Sequence, residues 1–136
     1  MKANQQKRIL IVDDSTVVRQ QLRKLIEMHP DWQVCGEAVD GEDGVEKAQQ
    51  LVPDLIILDF AMPGMNGLQA AHEIGRSLPN TPILLFTMFL SSELVQDARN
   101  CGIRGAVAKT EVGRDLVPCI EAVLRQETYF PEPVGS

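Results

Sequence analysis

Leu55-Ile56-Ile57-Leu58-Asp59-Phe60-Ala61-Met62-Pro63-Gly64-Met65-Asn66-Gly67 sets four apolar residues directly before a carboxylate and a loop of Pro, Gly and Asn. A short continuous apolar run bounded by turn residues reads as a strand buried on both faces, the pattern of parallel sheets. Asp59 then stands at the carboxyl end of a central strand, the edge at which open α/β sheets bind ligands. Other segments repeat the scheme. Ile9-Leu10-Ile11-Val12 ends in Asp13-Asp14, Ile83-Leu84-Leu85-Phe86 ends in Thr87, and Gly105-Ala106-Val107-Ala108 ends in Lys109. Trp32 to Ala38 reads as a weaker strand, followed by a turn around Asp40-Gly41.

Helical spacing fills the intervals. Val18, Leu22, Leu25 and Ile26 fall on one face of a helix capped by Asp14 or Ser15 and closed by Pro30. Val45, Ala48 and Val52 mark a second, ended by Pro53. Asn66 caps a third, with Leu68, Ala71, Ile74 and Leu78 inward. Ser91 or Ser92 starts a fourth, with Leu94, Ala98 and Cys101 inward and Gly102 as a left-handed stop. The last carries Leu116, Ile120, Val123 and Leu124, and Pro118 is compatible only with its first turn. Strands alternating with helices predict a single doubly wound (βα)5 domain of the α/β class over residues 1–127, its parallel five-stranded sheet covered on both faces. Residues 128–136 have no period and two prolines, and read as a linker or C-terminal tail.

Composition narrows the function classes. The 136 residues suit one core, and 44% hydrophobic with 24% charged residues is ordinary for a globular protein. A net charge of -6 without a basic block argues against direct DNA binding by this segment. No apolar run approaches the ~18 residues of a membrane span and no signal peptide opens the chain, so the expected location is cytoplasmic, with no membrane partner. Cys35, Cys101 and Cys119 lack metal-binding spacing and are expected to be reduced, half-buried small hydrophobes.

In a parallel sheet the strand ends share one edge, so Asp13, Asp14, Asp59, Thr87 and Lys109 can converge. Two carboxylates ~4 Å apart repel by about 4 kcal/mol at an effective dielectric of ~20. One must hold a proton, or a cation must sit among them. An oxygen-only set with few ligands suits Mg²⁺. A carboxylate beside Mg²⁺, an ammonium and a hydroxyl suits phosphoryl transfer, with Asp59 as nucleophile and Thr87 and Lys109 on the transferred oxygens. No general base for fast hydrolysis and no Gly-rich nucleotide cradle is evident, so the expectation is a site that accepts and holds a phosphoryl group and is not an enzyme.

At these residues the chain resembles the receiver domain of two-component response regulators. The matching pieces are Ile9 to Asp14, Pro53 to Asp59, Met62-Pro63-Gly64-Met65-Asn66-Gly67, Thr87 and Lys109, within about residues 8 to 127. The resemblance implies a flavodoxin-like, CheY-like fold with strand order 2-1-3-4-5. It implies Asp59 as phosphoacceptor from a sensor histidine kinase, and Thr87 and Lys109 as the phosphate-sensing pair. It implies Mg²⁺ on Asp14, Asp59 and the backbone carbonyl of Ala61, with Asp13 acting largely through water. Cys35-Gly36-Glu37-Ala38 through Gly41 and Glu127-Thr128-Tyr129-Phe130 resemble the NarL/LuxR-type subfamily, whose receivers precede a helix-turn-helix that regulates transcription. That likeness makes a chain cut at the linker the expectation, with a single-domain receiver and a homodimer as further possibilities.

Two departures stand out. Many receivers carry a Tyr or Phe where this chain has Ala106, for which Phe89, two residues after Thr87, is a partial stand-in; Lys109-Thr110 stands where relatives often have Lys-Pro. Ala106 lends support to a dimerisation module that works without phosphorylation. An aspartyl-phosphate phosphatase fits less well, because those enzymes carry Asp-x-Asp on the first strand. A flavin-binding module would need a phosphate loop after that strand.

Overall fold

The computed structural model describes residues 5–131. Five strands and five helices alternate: β1 (Lys7–Val12), α1 (Thr16–Glu27), β2 (Trp32–Ala38), α2 (Gly41–Leu51), β3 (Leu55–Asp59), α3 (Gly67–Ser77), β4 (Ile83–Thr87), α4 (Ser92–Asn100), β5 (Gly105–Ala108) and α5 (Val112–Leu124). The strands form one parallel sheet in the order β2-β1-β3-β4-β5. This is the expected CheY-like arrangement.

Side chains alternate across the sheet and supply two separate cores. Ile9, Ile11, Leu55, Ile57, Leu84, Phe86 and Val107 pack with α1 and α5, whereas Leu10, Val12, Ile56, Leu58, Leu85 and Ala106 pack with α2, α3 and α4. Each fully buried Leu or Ile stabilises the fold by about 1.5–3 kcal/mol, so a central strand must be apolar at every position. β2 reads weakly for a local reason. Its register with β1 slips between Ile9 and Leu10, from Ile9 opposite Val34 to Leu10 opposite Gly36, leaving Cys35 as an extra residue.

Caps fix where the helices begin. Ser15 accepts from the Val18 amide and Asp40 from the Asp43 amide. Asn66 and Gln69 form a reciprocal capping box, and Ser91 accepts from the Leu94 amide. Gly102 has the positive φ expected of its stop.

Several expectations fail locally. Val52 ends α2 in a left-handed conformation and is exposed, not an inward position. Cys101 is exposed and Val95 takes the buried place on α4, because the helix ends at Asn100 and Cys101 falls in its closing turn. Cys119 is fully buried, so the three cysteines do not share one environment. Pro118 lies mid-helix rather than in the first turn, since a 3₁₀ turn at Lys109–Glu111 lets α5 start early, at Val112. Pro118 faces solvent, which lets water satisfy the carbonyl one turn before it. Residues 128–131 do not trail away but lie against the outer edge of β5; residues 132–136 of the expected tail fall outside the described residues. No helix among those described is long and apolar enough to cross a membrane.

Candidate functional site

β1 delivers Asp13 to the carboxyl edge of the sheet, where it is 1% exposed, with the exposed Asp14 beside it. The Ser15 amide donates to Asp13 Oδ1 at 2.9 Å, so the start of α1 also orients this carboxylate. β3 ends at Asp59, which is 3% exposed and accepts from the Ala61 amide through Oδ1 at 3.3 Å. Lys109 follows β5 directly. Its Nζ lies 2.8 Å from Asp13 Oδ2 and 3.4 Å from Asp59 Oδ2, and 5.5 Å from the centre of the Phe86 ring. Thr87 closes β4 at 4% exposure, opposite Ala108, while Phe86 pairs with Asp59. One sheet edge thus brings Asp13, Asp14, Asp59 and Lys109 together, with Thr87 at the end of the neighbouring strand and Ala61 tied to Asp59 by its amide.

The loop after β3 is held by backbone. The Gly67 amide donates to the Phe60 carbonyl at 2.8 Å, and a Cβ on Gly67 would stand 2.5 Å from the Asp59 carbonyl oxygen and 2.8 Å from Phe60 Cα. Only glycine allows α3 to begin that close to the Asp59 peptide. The sequence contained the signal, a Gly directly after the helix-capping Asn66, but its part in placing Asp59 emerges only from the packing. Arg19 is a second addition: its guanidinium donates to the Asp13 carbonyl at 2.6 Å and pairs with Glu37 at 3.0 Å, tying β1, α1 and β2 together below the site.

Electrostatically the site is short of positive charge. Burial and then the Asp13 charge push the Asp59 carboxyl up to about 6, against the smaller pull of Lys109 and the Ala61 amide. Burial alone would lower Lys109, but its two carboxylate neighbours outweigh that and raise it. Asp13 Oδ2 is buried, and its close partner among the described residues is the Lys109 ammonium at 2.8 Å. Carboxylate oxygens of Asp13, Asp14 and Asp59 all lie within 4.8 Å of one another. A hard divalent cation fits this all-oxygen set and would relieve the repulsion among its carboxylates.

A pH dependence follows. Because the folded pKa of Asp59 is raised, its contribution to stability is fully present below pH ~4 and lost as pH rises through about 6. We expect the metal-free protein and Asp59→Asn to be equally stable near pH 4, and the Asn variant to lead by up to about 3 kcal/mol at pH 7. Urea denaturation of both proteins across this range checks it, and Mg²⁺ should narrow the gap by stabilising only the wild type.

A doubly wound sheet whose carboxyl edge gathers three aspartates, a threonine and a lysine defines a receiver, the input module of phosphorylation-based signalling. The sequence matches the response regulator receiver domain over residues 9–121, and the chain belongs to that family of two-component systems. It is 35% identical over 129 residues to the transcriptional regulatory protein LiaR of Bacillus subtilis, covering 95% of this chain and 61% of that protein. It is 31% identical over 127 residues to the response regulator protein VraR of Staphylococcus saprophyticus, covering 93% of this chain and 61% of the relative. The chain therefore spans about 61% of these curated relatives. Among solved structures, a two-component response regulator of the LuxR family from Aurantimonas superposes with a TM-score of 0.88 at 33% identity, covering 91% of this chain and 89% of that one. The receiver domain of Escherichia coli RcsB gives a TM-score of 0.86 at 25% identity, covering 93% and 99%. Receivers use Mg²⁺ at an acidic pocket of the kind Asp13, Asp14 and Asp59 form, and are phosphorylated by histidine kinases.

Proposed function

We propose that Asp59 accepts a phosphoryl group from the phosphohistidine of a sensor histidine kinase and holds it as a conformational signal. The observation that carries this is the approach of one ammonium, Lys109, to two buried carboxylates, with Asp14 close enough to complete an oxygen-only cation site. Mg²⁺, when bound, would be held by Asp14, Asp59 and the Ala61 carbonyl, with Asp13 largely through water, and would neutralise charge on the transferred oxygens. An Asp59 carboxylate oxygen forms the new O–P bond as the P–N bond to the kinase breaks, the electron pair leaving with the imidazole. Lys109 holds charge on the phosphoryl oxygens.

Phosphorylation replaces a charge of -1 by roughly -2 on Asp59. Charge-assisted bonds from Lys109 and Thr87 contribute about 1.5–3 kcal/mol each. Together they approach the ~5.5 kcal/mol that inverts a 1:99 population. By this reading the chain is stoichiometric rather than an enzyme, and in a longer protein it would control transcription through an output domain, as the names of its relatives suggest, with a homodimer as one form of the response. A net charge of -6 and a sequence without a basic block argue against DNA binding by this segment itself.

Incubation with acetyl phosphate tests the reading: one phosphoryl group per chain, on Asp59, is expected with Mg²⁺ and none after EDTA. Continuous turnover of a small phosphate ester would instead indicate a phosphatase.

A further inference from the structure

The missing aromatic of β5 has a counterpart elsewhere in the chain. Ala106 is fully buried on the face that meets α4, and Phe89 does not fill its place, being 83% exposed. After α5 the chain returns to the sheet: the Tyr129 amide donates to the Arg104 carbonyl and the Ala106 amide to the Tyr129 carbonyl, both at 3.0 Å. This makes a parallel bridge between Gly105 and Tyr129, so Phe130 is the cross-strand neighbour of Ala106. Tyr129 turns to the α5 side, its hydroxyl donating to the buried Asp115 at 2.8 Å. Phe130 turns to the α4 side and packs against the core cluster that includes Ala106, with the Arg99 guanidinium of α4 4.2 Å above its ring.

We propose that residues 128–131 form a strap on β5 whose Phe130, held under Arg99, takes over the reporting role of an aromatic at Ala106 and carries the state of Asp59 directly into the chain that follows. The inference rests on Asp59 being the phosphoacceptor. The two ends of the strap are anchored unequally. α5 buries Leu116, Cys119, Ile120 and Val123 and keeps Tyr129 through Asp115, whereas α4 buries only Val95 and Ala98. α4 is therefore the more weakly held of the two helices the strap touches, and it is joined to Thr87 by the short loop Met88-Phe89-Leu90-Ser91. When Thr87 is drawn toward a phosphoryl group, that loop and α4 follow, Arg99 leaves the Phe130 ring, and the strap loosens from β5. In the unphosphorylated state the same strap occupies the β5 edge, which an added strand or a second copy would otherwise use.

Amide hydrogen exchange on the 136-residue chain tests this, with beryllofluoride and Mg²⁺ as the phosphoryl mimic. The Tyr129 and Ala106 amides should exchange roughly tenfold faster with the mimic, while β1 amides do not change, and Asp59→Asn should show no response. Coupling is reciprocal, so Phe130→Ala should speed exchange at Tyr129 without the mimic and tighten beryllofluoride binding by a similar factor. Arg99→Ala should act in the same direction, from the other partner. If acetyl phosphate labels Asp59 and the mimic binds, yet exchange at Tyr129 and Ala106 is unchanged, the strap is a static cover and the inference fails alone. Unchanged beryllofluoride affinity in Phe130→Ala would overturn the coupling. If Asp59 takes no phosphoryl group at all, the underlying reading fails and takes the strap's role with it.

Discussion

Asp59→Asn should abolish phosphoryl uptake from acetyl phosphate, by at least about a thousandfold, while the protein stays folded. The amide keeps the shape of the carboxyl but removes the nucleophilic anion, and no other group at the site can replace it. Asp13 is engaged by Lys109 and the Ser15 amide, and Asp14 stands exposed at the end of a different strand. The fold should survive because the substitution removes a buried charge that faces Asp13 across the site. Phosphate incorporation followed by mass spectrometry of the labelled peptide decides it. Undiminished labelling of the variant would move the acceptor elsewhere.

Gly67→Ala should be among the most destabilising single-methyl changes in the chain, costing more than about 3 kcal/mol. The added carbon would meet the Asp59 carbonyl oxygen at 2.5 Å and Phe60 Cα at 2.8 Å, and both are backbone atoms that no rotamer change can move. Either α3 backs away, losing the bond from the Gly67 amide to Phe60, or β3 shifts and carries Asp59 with it. With a urea slope of about 1–3 kcal/mol/M, the denaturation midpoint should fall by about 1 M or more. A normal midpoint would mean that the loop relaxes freely and does not fix Asp59. Gly75, exposed on the same helix with nothing near its missing Cβ, is the matched control.

The central strands were legible because burial on both faces leaves no polar position in Leu55–Leu58 or Ile83–Phe86, and their ends showed where chemistry could gather. The acidic cluster followed from parallel topology, which puts every carboxyl end on one edge. Elements decided by hydrogen bonding rather than by period were harder to read. Asp14 and Ser15 are both capping residues, and only the geometry shows Ser15 taking the Val18 amide. Pro118 suggested a late start to α5, but a solvent-facing proline is tolerated mid-helix. The strap was opaque because Tyr129 and Phe130 carry no periodic signal. Two aromatics followed by Pro131 and Pro133 read as a tail, and only long-range pairing with Arg104 and Ala106 reveals them as packed on the sheet.

The unequal settings of the cysteines give the chain a built-in spectroscopic handle. Burial pushes the Cys119 thiol up to about 12, so at neutral pH it has almost no thiolate and resists alkylation. Burial also shifts the half-buried Cys35 upward. Cys101 lies open to solvent just past the end of α4. A maleimide dye or nitroxide therefore attaches to the unmodified sequence preferentially at the end of α4, the helix that the loop after Thr87 leads into.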